Sequence, residues 1–172
     1  VDCLKAVVRD IYTPIRDTEA ELAATMPDMA PSLPEEIVFV HTEDLARQYP
    51  KLTARQREGA ACREYGAVFF IGIGGLLPDG SIHDGRAPDY DDWTTPTSAG
   101  TAGLNGDIFV WNRVLGIPFE LSSMGIRVDA ATMLQQLQVR GCMDRKGLPW
   151  HRMLLAGELP QSVGGGIGQS RL

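Results

Sequence analysis

The chain has 172 residues and a mass of 18.7 kDa, with 44% hydrophobic and 22% charged residues, which excludes disordered, collagen-like and low-complexity proteins. No apolar run approaches the roughly 20 residues that span a bilayer, and no leader pattern is visible, so we expect a cytoplasmic protein without membrane contact. The net charge of −6 comes from 22 acidic and 16 basic residues without a basic run, which argues against a stable nucleic-acid complex.

The cysteines and histidines do not form a metal-binding pattern. The three cysteines are odd in number and far apart, so we expect reduced thiols that pack as small hydrophobic groups. The three histidines are scattered as well, and we expect them to be structural. These residues are Cys3, Cys62, Cys142, His41, His83 and His151.

The first part of the chain predicts three helices and two strands. Apolar residues recur at helical spacing in the opening segment, where Pro14 is expected to kink or interrupt the helix. Thr42 is placed to cap the second helix, and Thr53 with Gln56 forms a capping box for the third. The predicted helices are 2–26, 42–50 and 53–65, and the predicted strands are 37–40 and 67–73.

Hairpins dominate the second part of the chain, where regular alternation of strands and helices is missing. This pattern predicts an α+β fold in a single domain, with an antiparallel β-sheet flanked by helices. Gly116 lies in the expected hairpin loop, and Asp129 is placed to cap the helix that follows. The predicted elements are a turn at 78–80, an irregular stretch at 86–93, paired strands at 106–112 and 119–128, and helices at 129–141 and 150–156.

The Gly-rich end of the chain is the first candidate site. Gly164, Gly166 and Gly168 alternate, so the backbone can approach a flat or phosphorylated ligand closely, and Arg171 adds a planar charged group. The pattern predicts a nucleotide-binding surface, with a tight turn beside a surface arginine as an equal alternative. Neither a dinucleotide fingerprint nor a P-loop is present.

Two carboxylates, Asp107 and Glu120, are expected side by side across the predicted hairpin. Together with a bound polyphosphate, such a pair can hold Mg²⁺, which prefers oxygen ligands. Taken alone, the two residues are better explained as solvated carboxylates at a sheet edge, and it is their coincidence with the Gly-rich segment and Arg171 that favours a metal site.

An acidic loop is the third candidate site. Tyr90 and Trp93 are interleaved with the acids and are unfavourable to expose, which predicts a folded pocket wall suited to a cation or an amine. A solvated, charge-rich loop is the alternative. The acids of this loop are Asp84, Asp89, Asp91 and Asp92.

Four long strings of the sequence resemble the ammonia-dependent asparagine synthetases, also called aspartate-ammonia ligases. The resemblance extends over essentially the whole chain and includes His41 and the segment Gly72-Ile-Gly-Gly75. The last string fits the class II aminoacyl-tRNA synthetase motif Gly-x-Gly-x-Gly-x-x-Arg. The strings are Asp89-Tyr-Asp-Asp-Trp93, Gly103-Leu-Asn-Gly-Asp-Ile108, Phe119-Glu-Leu-Ser-Ser-Met-Gly-Ile-Arg-Val-Asp129 and Gly164-Gly-Gly-Ile-Gly-Gln-Ser-Arg171.

The resemblance implies a catalytic core like that of class II aminoacyl-tRNA synthetases. It also implies that L-aspartate, ATP and ammonia are converted to L-asparagine, AMP and pyrophosphate through a β-aspartyl-adenylate, with Mg²⁺ bound to the nucleotide. The acidic loop would bind ammonium and remove a proton from it. The implied roles are catalysis by Arg171, Asp91 and Asp92, ATP binding by Glu120, Leu121, Gly166, Gly168 and Arg171, metal binding by Asp107 and Glu120, and an amino-acid or adenylate pocket at Asp91, Ser122 and Ser123.

The chain is shorter than the family it resembles. It starts with Val1 instead of methionine, and it is expected to lack the N-terminal part of the family and the helix after Arg171. We therefore expect little activity from these residues alone and a homodimer for the complete enzyme. A class II aminoacyl-tRNA synthetase core, a non-catalytic paralogue that binds a nucleotide or an amino acid, and an incomplete product without its own function remain alternatives.

Overall fold

The computed structural model describes residues 1–26 and 28–171, without the side chain of Arg171, and confirms an α+β fold with one mixed sheet flanked by helices. No helix in these described residues is both long enough and apolar enough to cross a membrane. The helices are α1 (Asp2–Thr25), α2 (Thr42–Gln48), α3 (Ala54–Tyr65), α4 (Ala130–Val139) and α5 (Pro149–Leu155). The strands are β1 (Val38–His41), β2 (Ala67–Ile71), β3 (Asn105–Asn112), β4 (Ile117–Ile126) and β5 (Val163–Ile167).

The strands lie in the sheet in their order along the chain, from β1 to β5. Strands β2 to β5 are antiparallel to their neighbours, as predicted, whereas β1 pairs with β2 in parallel, with Val38 opposite Val68. A parallel pair needs a long crossover connection, and the segment that carries α2 and α3 provides it. The Gly-rich end of the chain forms the edge strand β5, followed by a short 3-10 helix over Gln169–Arg171.

Helix α1 covers one face of the sheet, which we call the α1 face. The helix continues through Pro14 without a break in its assignment, and it buries Leu4, Val8 and Tyr12. These side chains belong to an apolar cluster with sheet residues that alternate along β2, β3 and β4. The sheet residues of this cluster are Ala67, Phe69, Ile71, Ile108, Val110, Leu121 and Met124.

Helix α3 covers part of the opposite face, which we call the site face. The alternate residues Val68 and Phe70 of β2 and Phe109 of β3 pack here against Ala61 and Cys62 of α3. Burial raises the pKa of the Cys62 thiol to about 12, so this cysteine is a packed apolar group, as expected. The remainder of the site face carries polar and charged side chains.

Local sequence signals fix most helix ends. The capping box of Thr53 and Gln56 opens α3, and Asp129 caps α4, as the sequence predicts. Thr132 completes a capping box with Asp129 that the sequence analysis does not anticipate. Gly66 ends α3 with a φ of 79° and accepts no side chain easily, because an added Cβ would lie 3.2 Å from Cδ of Pro34.

The prediction that Thr42 caps α2 is wrong. The cap is the preceding residue, His41, whose Nδ1 accepts a hydrogen bond of 3.1 Å from the backbone N–H of Glu43. Thr42 is the first residue of the helix, and its hydroxyl donates instead to the carbonyl of Gly72 at 2.9 Å. The side chain of Thr42 is fully buried, so this long-range bond satisfies a group that would otherwise be unpaired.

The predicted hairpin of β3 and β4 is confirmed, with Gly116 in the connecting turn at a φ of 66°. The register shifts by one residue between Ile108 and Phe109, because Leu121 of β4 has no opposite residue in β3. This is a β-bulge in β4. The turn at 78–80 lies outside the main sheet, and the residues on its two sides, Leu76 and Ile82, form an isolated β-bridge.

Candidate active site

The floor of the candidate site is the site face of β3, β4 and β5. Asp107 lies opposite Ser123, Gly125 lies opposite Gly164, and Ser123 lies opposite Gly166. A Cβ on Gly166 would have no heavy atom within 4 Å, so bare backbone is open to a ligand at this position. Gly166 of β5 therefore leaves room above the sheet.

Arg86 and Asp107 form a buried ion pair on this floor. The Asp107 side chain is 5% exposed, and burial raises the pKa of its carboxyl group against the opposing effect of Arg86. Only Oδ2 of Asp107 contacts Arg86, whereas its Oδ1 has no hydrogen-bond partner among the described residues. Nε of Arg86 is also unpartnered in the part of the chain described above. A buried donor and a buried acceptor are thus available for a ligand.

Asp91 and Arg127 form a second buried ion pair, next to β5. Burial raises the pKa of Asp91, and the Arg127 guanidinium opposes this shift. Arg127 also stacks on Tyr90 with its guanidinium carbon 3.7 Å from the ring centre. Glycines make room for the pair: an added Cβ would lie 2.9 Å from Cγ of Asp91 at Gly125 and 2.6 Å from Nη2 of Arg127 at Gly164.

A cavity of about 430 Å³ borders Asp107, and Glu120 lines it as well. The sequence predicts that these two carboxylates lie side by side across the hairpin, but they are not directly opposite each other. Phe109 lies opposite Glu120, and Ser123 lies opposite Asp107. The β-bulge in β4 produces this offset. The two carboxylates nevertheless share one cavity, as their proposed common role requires.

The other acids of the loop have structural partners. Oδ1 of Asp92 accepts hydrogen bonds of 2.9 Å from the backbone N–H groups of Thr94 and Thr95, and the Thr95 hydroxyl bonds to its Oδ2. Oδ2 of Asp89 lies 2.9 Å from Nε2 of His151 and 3.2 Å from Nη1 of Arg145. The carboxylate of Asp92 thus shapes the loop, and Asp91 is the acid that faces the floor of the site.

The remaining predicted site residues lie at different places. The Leu121 side chain is in the apolar core under α1, but its carbonyl accepts a hydrogen bond of 2.9 Å from the N–H of Gly168. Ser122 lies opposite Ile108 of the α1-face cluster and is 2% exposed, so it is turned away from the face that holds Ser123. The side chain of Arg171 lies outside the described part of the structure, and its role stays a prediction.

Each histidine has a polar partner within the fold, and a purely structural role for these residues stays a prediction. His41 caps α2, and its Nε2 lies 2.9 Å from the carbonyl of Ala102. His83 is buried beside the cavity, where its Nε2 lies 2.9 Å from Oε1 of Glu58. In the described residues, no three His, Cys, Asp or Glu side chains are grouped closely enough to hold a metal ion by themselves.

Arg86 and Arg127 are two site residues that sequence reasoning missed. They pair with acids 21 and 36 residues away, and no local spacing in the sequence reveals such contacts. Each arginine lies in or beside one of the segments that carry the candidate acids. The rule that a buried carboxylate needs a partner predicts an arginine at each place, but it does not say which of the 13 arginines is used.

The fold is that of class II aminoacyl-tRNA synthetases. The chain is similar to the aspartyl-tRNA synthetase of Entamoeba histolytica, with a TM-score of 0.60 and 17% identity over 99% of this chain and 36% of that one. It is also similar to the asparaginyl-tRNA synthetase of Entamoeba histolytica in complex with asparaginyl-adenylate, with a TM-score of 0.59 and 13% identity over 98% of this chain and 38% of that one. The chain therefore spans well under half the length of these structures.

Within this fold, the sequence identifies a particular family. The family model described as aspartate-ammonia ligase matches residues 1–172. The chain belongs to the aspartate-ammonia ligase family.

Proposed function

We propose that the protein of which this chain forms part joins ammonia to L-aspartate at the expense of ATP, giving L-asparagine, AMP and pyrophosphate. Family membership over residues 1–172 supports a ligase that forms a carbon–nitrogen bond. The observation that carries the proposal is the juxtaposition of the Asp91–Arg127 pair with the open glycine backbone at Gly166. A buried charged pair thereby lies on the same side of the sheet as backbone that a nucleotide can approach.

The first half of the proposed reaction activates aspartate. An oxygen of its β-carboxylate attacks the α-phosphorus of ATP, the bond to the β-phosphate oxygen breaks, and pyrophosphate leaves. Negative charge accumulates around the phosphorus, so fixed positive charge is more effective in the transition state than in the ground state. We propose that Arg171 supplies this charge and that Gly166 and Gly168 let the nucleotide lie against the backbone.

The second half forms the amide. Ammonia attacks the β-carbonyl carbon of the β-aspartyl-adenylate, the carbon–oxygen bond to AMP breaks, and one proton is lost from nitrogen. Ammonium predominates near neutral pH and has no lone pair for attack, so a nearby base must take its proton. We propose Asp91 for this role, because burial raises the pKa of its carboxyl group and so makes it a better proton acceptor. Asp92 supports the loop through its bonds to Thr94 and Thr95.

The residues present fit a magnesium ion that binds together with the nucleotide. The unpartnered Oδ1 of Asp107 and the carboxylate of Glu120 adjoin the same cavity. Mg²⁺ in such sites binds one or two carboxylates and takes its other ligands from phosphates and water. We propose that Asp107 and Glu120 hold the ion, which neutralises phosphate charge when it is bound.

The short length of the chain supports a further part of the proposal. It spans 36% of the aspartyl-tRNA synthetase to which it is similar, so walls of a comparable site would have to come from other residues. We propose that residues 1–172 are a partial catalytic domain with little activity alone, and that the complete protein is a cytoplasmic homodimer. Assaying this chain beside the complete protein tests the first point, because equal activity of the two would contradict it.

The two half-reactions can be tested separately in the complete protein. We expect exchange of labelled pyrophosphate into ATP that depends on L-aspartate, followed by asparagine formation when ammonium is added. Absence of the aspartate-dependent exchange would contradict the proposal. Exchange followed by transfer to tRNA, with no reaction of ammonium, would support a class II aminoacyl-tRNA synthetase instead, and ligand binding without turnover would indicate a non-catalytic paralogue.

The variant Asp91→Asn tests the proposed base. We expect it to slow amide formation from ammonium by about 100-fold or more, while pyrophosphate exchange continues. Asp92→Asn perturbs the same loop without removing the proposed base, so it is the matched control and should slow amide formation less. An unchanged response of Asp91→Asn to ammonium concentration would contradict the role of Asp91.

A further inference from the structure

We propose that Gln136 of α4 is a positioning residue that holds Asp91 in place for the second half-reaction. Gln136 is fully buried, and it lies 45 residues away from Asp91 in the sequence. A buried polar side chain on a helix needs hydrogen-bond partners, and Gln136 finds all of them in the acidic loop. The inference rests on the function proposed above, because it assigns Gln136 to one step of that reaction.

The amide of Gln136 uses its full hydrogen-bonding capacity. Its Nε2 donates to the carbonyl of Asp91 at 3.1 Å and to the carbonyl of Pro88 at 2.9 Å. Its Oε1 accepts from the backbone N–H of Trp93 at 2.8 Å and from the Thr94 hydroxyl at 3.2 Å. A primary amide offers two donors and two acceptor sites, so one side chain fixes four points of the loop on both sides of the acid.

The acidic loop is held from its other side by β4. Its backbone pairs with the chain that follows this strand, through bonds of 2.9 Å from Asp92 N–H to the Ile126 carbonyl and of 3.0 Å from Val128 N–H to the Tyr90 carbonyl. Asp91 thus lies between two supports, a strand end and Gln136. Because the loop keeps its bonds to the strand, replacing Gln136 is expected to shift Asp91 without releasing the whole loop.

Helix α4 is itself anchored near the site. Arg140, one turn after Gln136, donates to the carbonyl of Gly74 at 2.8 Å and lies 5.0 Å from the ring centre of Trp93. Met133 and Leu137 are fully buried in the cluster that α4 forms with α5. The helix is therefore a fixed base from which Gln136 can hold the loop, and a catalytic group held by such a base keeps its reactive geometry.

This geometry gives an expectation that differs between the two half-reactions. Asp91 is proposed to act on ammonium and not in the activation of aspartate. Misplacing a catalytic group by about 1 Å can reduce a rate by about 100-fold. A change at Gln136 should therefore reduce amide formation from ammonium strongly and leave aspartate-dependent pyrophosphate exchange close to the wild-type rate.

The test compares Gln136→Met with Gln135→Met in the complete protein. Gln135 is the preceding residue of the same helix and is exposed, so its replacement changes helix composition in the same way without touching the loop. We expect Gln136→Met to lower the rate of amide formation by about 10-fold to 100-fold, with pyrophosphate exchange retained. With hydroxylamine, which is mostly neutral near neutral pH and needs no base to free its lone pair, the loss should be smaller.

A second variant, Gln136→Glu, distinguishes positioning from general damage. When ionised, the introduced carboxylate only accepts hydrogen bonds, whereas its protonated form donates one. Its amide-forming rate relative to wild type should therefore rise as the pH falls, a dependence that Gln135→Met should lack. This measurement decides the question if Gln136→Met does not fold.

Three outcomes would overturn the inference for Gln136 alone. One is equal loss of both half-reactions in Gln136→Met, which indicates a merely structural role. The others are a folded Gln136→Met with wild-type amide formation and a Gln136→Glu variant whose relative rate does not depend on pH. A wild-type protein without aspartate-dependent exchange would instead overturn the proposed function, and the assignment of Gln136 to this reaction with it.

Discussion

The two faces of the sheet are built from the same strands, but one is apolar and the other carries buried charges. On the α1 face, Phe69 and Ile108 are fully buried in a cluster of apolar side chains. On the site face, Asp107, which directly precedes Ile108 in β3, is a buried carboxylate paired with Arg86. The first face gains stability from the removal of apolar surface from water, whereas the second pays a desolvation penalty to keep charges in place.

Stability and function are located on different faces of this sheet. A buried ion pair is weak evidence for stability, since its Coulomb attraction is offset by the loss of hydration. Its presence next to open glycine backbone fits the proposed binding of a ligand that both charges meet. We therefore expect changes on the α1 face to alter the free energy of unfolding and changes on the site face to alter activity.

The largest expected effect on stability belongs to Phe69→Ala on the α1 face. The ring is fully buried and packs edge-on against Phe39 with 5.9 Å between ring centres, so its removal should lower the free energy of unfolding by about 3–5 kcal/mol. Urea unfolding measures the change. Val114→Ala, at a side chain that is 94% exposed, is the control and should change stability by less than about 0.5 kcal/mol. Similar values for both variants would contradict the contribution of the α1 face to stability.

Two neighbouring glycines of β5 lie on opposite faces of one strand, so their variants compare the two faces of the sheet directly. An added Cβ at Gly165 would lie 2.5 Å from Cβ of Met124, so Gly165→Ala should destabilise the fold by about 1–3 kcal/mol. Gly166→Ala meets no atom within 4 Å and should leave the fold intact, but it should weaken ATP binding by about tenfold by obstructing the nucleotide. Calorimetric titration and thermal unfolding of both variants measure this. Loss of stability in Gly166→Ala together with weakened ATP binding in a stable Gly165→Ala would contradict this prediction.

The smallest expected effect concerns Asp89, which ties the acidic loop to α5 and its neighbourhood. Burial opposes the charged form, but the bonds from His151 and Arg145 outweigh it and hold the pKa of Asp89 below its usual range. A lowered folded-state pKa adds stability above the ordinary pKa of aspartate, and this stability is lost as the pH falls through the folded-state pKa. Asp89→Asn should therefore cost about 1 kcal/mol near neutral pH. The difference in the free energy of unfolding between Asp89→Asn and wild type should shrink in acid. Urea unfolding at several pH values measures it, and a difference that grows in acid would contradict the prediction.

The sequence predicts the local elements of this molecule well where short-range chemistry decides them. The capping boxes at Thr53 and Asp129, the hairpin around Gly116 and the buried strand at 67–71 each depend on residues a few positions apart. The cap of α2 is not predicted correctly, because His41 is an uncommon N-cap and residue type alone favours Thr42.

The candidate site was predicted only in part, for a physical reason. Acids such as Asp107 and Asp91 stand out in the sequence, but their partners Arg86 and Arg127 become visible only after the chain has folded. The same holds for Gln136, which looks like any polar helix residue until its loop partners surround it. Parallel pairing of β1 with β2 also has no local sequence signature, because it depends on a crossover.

The β-bulge at Leu121 decides which side chains of β4 can act together. Glu120 and Arg127 are separated by an odd number of positions, so an unbroken strand and its continuation would send them to opposite sides. The extra residue restores the alternation, and both Glu120 and Arg127 project on the side of Asp107. The bulge thus compensates for one extra residue in β4, because deletion of Leu121 would leave an even number of positions between Glu120 and Arg127, and a regular strand would then carry both side chains on one side.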